Sequence, residues 1–123
     1  MNNNFRIRLL GQQAAAKLLV DAIPERYFKD PTTTFIDPAM GGGQYLLEIV
    51  KRCEKYHARE QILPRVYGVE AHPMFINRAN RYNNLRGANL SLTFDFACMK
   101  FDVVIGNPPY QLPGQNQSKS GHK

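Results

Sequence analysis

Asp37-Pro38-Ala39-Met40-Gly41-Gly42-Gly43-Gln44-Tyr45 sets a carboxylate and three consecutive glycines directly after the β-branched and aromatic residues 33–36. Glycines have no Cβ, so the backbone turns tightly and approaches a ligand closely; a strand that ends in such a loop and opens a helix marks a binding site. The ligand class follows from what the loop lacks. A nucleoside-triphosphate loop ends in Gly-Lys-Ser/Thr, whereas Gly43 is followed by Gln44 and Tyr45, and "GGGQYL" is not a G-x-G-x-x-G dinucleotide pattern. An acid at the turn repels pyrophosphate and attracts a cationic amino group, which points to a ligand with an amino-acid end.

Two further acids stand at the ends of later apolar runs. Glu70, followed by Ala71, closes "VYGVEA"; a carboxylate at the tip of a second strand accepts both hydroxyls of a ribose, or, more simply, caps the positive end of the helix that follows. "LTFDFACM" ends the third run with Asp95 and Phe96. Asp95 is suited to accept from an adenine amino group while Phe96 packs on the ring, with ordinary core packing of Phe96 as the competing reading. The last run, "FDVVIG", stops at Asn107-Pro108-Pro109-Tyr110.

The elements that must position these groups alternate in type. "QQAAAKLLVDA" reads as a helix from about residue 9 to 28 with Leu10, Ala14, Leu18 and Ala22 on one stripe and a break at Pro24. Residues 33–36 form the first strand, and residues 45–56 a helix with Leu46, Leu47, Ile49, Val50 and Cys53 inward. "RVYGVE" is the second strand and "HPMFINRANRYNN" the next helix, with Pro73 at its start where a missing amide proton costs nothing. "LSLTF" and "FDVVIG" supply two more strands. Helix, then β-α-β-α-β and a fourth strand predicts an α/β fold with a doubly wound, mostly parallel sheet.

Composition narrows the setting. The chain has 123 residues, 43% hydrophobic and 21% charged, which is the mix of a folded domain with a real core. No apolar stretch has the length of a membrane span and no secretory signal opens the chain, so a cytoplasmic protein is expected. Cys53 and Cys98 have no metal-type spacing and read as reduced structural thiols, with no metal site. Sixteen Lys and Arg oppose ten Asp and Glu, and eight of the sixteen lie between Lys51 and Arg86; a net charge of +6 suits a polyanionic partner such as a nucleic acid, and solvated helix faces are the competing reading. Three regions are expected: a helical segment over 1–31, a ligand-binding half-domain over 32–110, and a polar tail or truncated loop over 111–123.

The loop, the acids at successive strand ends and NPPY together resemble the S-adenosylmethionine-dependent amino-methyltransferases, most closely the adenine-N6 DNA methyltransferases of restriction–modification type. The resemblance covers about residues 32–110. It implies a Rossmann-like class I methyltransferase fold of which the first four strands are present. It also implies that Asp37, Pro38, Ala39, Met40, Gly41 and Gly43 hold the methionine part of S-adenosyl-L-methionine, Glu70 with Ala71 the ribose, and Asp95 with Phe96 the adenine. Met40 and Gly42 depart from the family's D-P-A-C-G-S-G form, and the second change removes a hydroxyl contact.

On this reading NPPY acts on an exocyclic amine, whose lone pair is delocalised into the purine ring. If the Asn107 side-chain oxygen and the Pro108 carbonyl accept its protons, the nitrogen pyramidalises and aims its lone pair at a sulfonium methyl. Pro108 and Pro109 lock the turn and remove competing amide donors, and Tyr110 stacks on a base flipped out of the duplex. Two alternatives stay open: a protein glutamine amide or an rRNA guanine amine as acceptor, or a non-catalytic cofactor-binding fragment. The family's full sheet has seven strands, so either a further C-terminal region or a second chain is expected to complete it and recognise the target.

Overall fold

Four short parallel strands carry the acids anticipated above to one edge of a sheet. The computed structural model describes residues 14–96 and 98–106. β1 is Phe35–Asp37, β2 Val66–Val69, β3 Asn89–Ser91 and β4 Val103–Val104, in the order β3-β2-β1-β4. All three pairings are parallel, with Phe35 beside Val66 and Val103, and Tyr67 beside Asn89. The chain builds outward from β1 to β3 and then returns to place β4 on the other side of β1. That reversal opens a crevice at the carboxyl end of β1, the place where ligands bind in sheets of this kind.

Residues 14–21 are helical and form α1, and Glu25–Lys29 forms α2 after the break at Pro24. The inward face of α1 differs from the expected stripe. Ala16 and Val20 are buried, whereas Leu18 is 69% exposed and Ala14 and Ala22 are exposed; Leu10 lies outside the described residues. An alanine-rich segment carries more than one apolar stripe, and the i, i+4 pair Ala16 and Val20 is slim enough to bring the helix close to the core. α2 is fixed by Phe28, whose ring stacks on Phe35 of β1 at 6.1 Å between centroids.

α3 runs from Gln44 to Cys53 and buries Leu46, Ile49, Val50 and Cys53, with Leu47 half-exposed. Each fully buried aliphatic side chain is worth about 1.5–3 kcal/mol, so this helix anchors the floor of the glycine loop. The crossover back to β2 holds two elements that hydropathy did not announce, α4 (Arg59–Ile62) and a 3-10 turn over Leu63–Arg65. Both are short, and their apolar residues Ile62 and Leu63 are adjacent, so no period emerges. α5 spans Pro73–Arg81 with only Ala79 fully buried.

β3 begins and ends earlier than "LSLTF". Asn89 joins the strand because its side-chain amide donates to the carbonyls of Pro64 (3.0 Å) and Val66 (3.3 Å). Thr93 and Phe94 fall outside because Ser91 and Thr93 turn their hydroxyls onto Asp95. β4 is pinned at its start by Asp102, which accepts from the Thr34 amide at 2.9 Å, and its ladder extends through the Ile105 amide to the Ile36 carbonyl. Among the described residues no helix is long and apolar enough to cross a membrane.

Candidate active site at the carboxyl ends of the strands

The glycine loop is seated by the residues around it. Gly41 and Gly43 have φ of +56° and +89°, the left-handed region where a Cβ is strained. Gly43 also packs so closely against α5 and the loop after it that an added Cβ would stand 2.8 Å from Leu85 Cδ1. The loop is tied down by the Met40 amide donating to the Val69 carbonyl (2.9 Å) and by Asn83, whose side-chain amide donates to the Gly42 carbonyl (2.6 Å). Beneath it, Gly68 in β2 leaves the space that Met40 occupies: a Cβ there would lie 2.5 Å from Met40 Sδ.

Glu70 joins the loop to α5. One carboxylate oxygen accepts from the Gly41 amide at 3.0 Å and the other from the His72 amide at 2.9 Å. It therefore ties the residue that precedes α5 to the glycine loop, without bonding the helix's own first-turn amides as a cap would. Each oxygen keeps a second lone pair, so both retain capacity to accept a hydroxyl.

Asp37 is fully buried and lines neither of the clefts described below. Its Oδ1 accepts from the Ala39 amide at 3.0 Å, and its Oδ2 has no partner among the described residues. Burial pushes its pKa from 3.8 up to about 6; the Ala39 hydrogen bond opposes this and the charge of Glu70 adds to it. The neighbouring Tyr45 phenol is also raised, by burial first and by the Asp37 charge second. Across the crevice, Gly106 approaches so near that a Cβ would stand 2.5 Å from Asp37 Oδ1. The end of β4 and the acid of the loop thus share one wall.

Two clefts meet at Ala39. The first, about 290 Å³, is lined by Met40, Gly41 and Gly42 of the loop, Tyr45 of α3 and Phe75 of α5. Ala15 of α1 and Gln44 complete it. The second, about 330 Å³, lies across the tips of β1, β2 and β3 and is lined by Pro38, Glu70, Ala71, Leu92 and Phe94, with Thr93. Together they form a path from the glycine loop to the third strand. Gly43 sets back from it against α5, while Gly42, Phe75, Leu92 and Phe94 belong to its walls without having been singled out from the sequence. Their signal was faint: Leu92 and Phe94 are 48% and 56% exposed, and a lone apolar residue near a strand end has no period.

Asp95 lines neither cleft; it sits behind Thr93 of the second, held by short bonds from the hydroxyls of Ser91 (2.7 Å) and Thr93 (2.6 Å). These donors, Thr93 first, lower its pKa, so it is a carboxylate at neutral pH. The Phe96 ring lies edge-on to Tyr67 of β2 at 5.1 Å, beside Phe101 at 4.9 Å from the same ring. The half-buried Phe96 thus packs against Tyr67 on the sheet face. Asn107, Pro108, Pro109 and Tyr110 lie outside the described residues, as does the tail over 111–123.

A family model for the Eco57I restriction-modification methylase matches residues 45–123, well over half of the chain. The chain belongs to the Eco57I restriction-modification methylase family. No curated protein matches it. Membership agrees with the parallel sheet and its crevice; the match begins at Tyr45 in the first turn of α3, just after Asp37 and the glycine loop, and runs through Glu70, Asp95 and NPPY. Among the described residues of this methylase domain, no group of His, Cys, Asp and Glu is arranged to hold a metal ion. Cys53 is a free thiol in the core, pushed up to about 11 chiefly by burial, and Cys98 is a free thiol at the surface.

Proposed function

We propose that this domain transfers a methyl group from S-adenosylmethionine to the N6 amine of adenine in DNA. The observation that carries the reading is the pair of clefts that share Ala39, with the glycine loop in the first, Glu70 in the second, and Thr93, whose hydroxyl donates to Asp95, at the far side of the second. A ligand with an amino-acid end, a ribose and a base has that order of groups. The first cleft takes the methionine part, against Gly41, Gly42 and Tyr45; the unpaired Asp37 Oδ2 lies one layer behind, where its negative charge favours an ammonium group. Glu70 accepts the ribose hydroxyls beside Ala71, and Asp95 accepts from the adenine amino group, with Leu92 and Phe94 forming the apolar wall.

Bound S-adenosylmethionine supplies an electrophilic sulfonium methyl group. The chain's part is to present the acceptor amine to it. Asn107 follows Gly106 directly, so the acceptor motif begins where β4 meets the wall of Asp37. Asn107 Oδ1 and the Pro108 carbonyl hold the two amine protons, the nitrogen lone pair forms the new N–C bond as the S–C bond breaks, and one proton leaves to water. Pro109 stiffens the turn and Tyr110 stacks on the flipped base.

The test is calorimetric titration with S-adenosylmethionine alongside methyl transfer offered to duplex DNA, ribosomal RNA and protein. Glu70→Ala is expected to weaken cofactor binding at least ten-fold, the loss of charge-assisted hydrogen bonds worth about 1.5–3 kcal/mol. Asn107→Ala is expected to abolish transfer with cofactor affinity kept. Transfer to RNA or protein but not to DNA would overturn the acceptor, and absence of cofactor binding in the wild-type protein would overturn the whole reading.

A further inference from the structure

From Ala71 to Phe94 the chain has no carboxylate and no lysine, but it has three arginines: Arg78, Arg81 and Arg86. This stretch is α5, the following loop and β3. On α5 the residues Met74, Asn77, Arg78 and Arg81 are exposed, at the i, i+3/i+4, i+7 spacing of one helical face, and Tyr82 continues it at 76% exposure. None of the three arginines joins an ion pair among the described residues, whereas Lys51, Arg52 and Arg59 on α3 and α4 each hold a carboxylate. A helix face that is merely solvated interleaves both signs. Here the sign is single, and the cation is always the one whose planar fork matches a phosphate.

The face is also placed beside the site. Phe75, on the same helix, lines the first cleft, and the Arg78 guanidinium lies over the Phe75 ring at 5.6 Å. The Arg78 stem is next to the glycine loop, since a Cβ on Gly42 would meet its Cδ at 3.8 Å. The carboxylates of neighbouring elements are already engaged: Glu54 with Arg59 at 3.1 Å, and Glu70 with the loop and α5.

We infer that this face of α5 and its following loop is a contact surface for the phosphate backbone of duplex DNA, beginning at the rim of the cofactor cleft. The inference rests on the proposal that DNA is the substrate, and it adds a surface outside the site itself. A duplex presents one charge per about 1.7 Å of axis, and arginine, asparagine and tyrosine side chains are its usual phosphate donors.

The test uses the full protein and a labelled duplex of arbitrary sequence, with anisotropy read over a range of salt. The triple variant Arg78→Ala, Arg81→Ala, Arg86→Ala is expected to make the slope of log K against log salt shallower by about 2 to 3, from ~0.9 per lost phosphate contact. S-adenosylmethionine affinity is measured in parallel on the double variant Arg81→Ala, Arg86→Ala, which keeps the Arg78–Phe75 contact at the cleft, and is expected to stay unchanged, which separates this surface from the cofactor reading. Lys17→Ala, Lys55→Ala, Lys100→Ala makes the same change in charge elsewhere and is expected to leave the slope alone. An unchanged slope in the arginine variant, or an equal fall in the lysine variant, overturns the inference. So does binding to poly-glutamate that depends on the three arginines while duplex binding does not, since that assigns the face to an acidic protein.

Discussion

Asp37→Asn is expected to raise stability while harming function, and the size of the gain depends on pH. The carboxyl is fully buried, with one hydrogen bond and one oxygen unpartnered. A group that holds its proton more tightly folded than unfolded destabilises the fold when it ionises. Its contribution is therefore intact below about pH 4, where both states are protonated, and is lost as pH rises through its folded value. Displacement from 3.8 to about 6 amounts to roughly 3 kcal/mol at about 1.4 kcal/mol per pH unit. Asparagine keeps the shape and the acceptor for the Ala39 amide without the charge. Urea unfolding followed by circular dichroism is expected to give near-equal stabilities at pH 4 and an advantage to the variant of about 2–3 kcal/mol at pH 8. Asp30 and Asp95, held low by the Thr32 hydroxyl and by the Thr93 and Ser91 hydroxyls, titrate alike in both proteins, so the difference isolates position 37. A difference that does not change with pH would refute the reasoning, as would a wild-type protein more stable than the variant at pH 8. Calorimetry on the same variant is expected to show weaker S-adenosylmethionine binding.

Gly68→Ala drives a methyl group toward Met40 Sδ, Leu46 Cδ1 and Leu90 Cδ2 at 2.5, 2.9 and 3.1 Å; overpacking of this kind costs about 1–3 kcal/mol, read as a lower urea midpoint with an unchanged m-value. Because it lifts the loop's seat, it should weaken cofactor binding as well. Thiol titration with an aromatic disulfide should label Cys98 within the mixing phase and Cys53 only as fast as the protein unfolds, since Cys53 is buried with a raised pKa; two equally fast thiols would contradict the burial of Cys53.

Much of the fold was legible because its signals are local. The glycine loop, Pro73 at the start of α5 and the β-branched strands each announce themselves within a few residues, whereas the order β3-β2-β1-β4 was read only from the folded sheet. What was not legible depends on contacts distant in sequence. The inward face of α1 was decided by how near Ala16 and Val20 bring it to the core, since the stripe alone left several faces open. Asn89 belongs to β3 only because the carbonyls of Pro64 and Val66 are within reach. At the site, Glu70 was visible as an acid at a strand tip, but its hold on Gly41 required the folded loop. The burial of Asp37 followed from Gly106, 69 residues away, and no pattern in the sequence joins them. For Phe96 the sequence offered both a base-packing face and ordinary packing, and the fold adds its edge-on contact with Tyr67, which a pattern of local residues does not show.

The contact of Gly106 with Asp37 also limits how such a domain can change by descent. Any side chain at position 106 would press on the acid behind the glycine loop, and any larger residue at position 37 would press back on the strand that leads into Asn107. A residue larger than aspartate at 37 therefore calls for a matching change at the end of β4, so the glycine loop and the segment that leads into NPPY are tied to one another. The outward face of α5 carries no such constraint: a substitution at exposed Arg81 meets neither position.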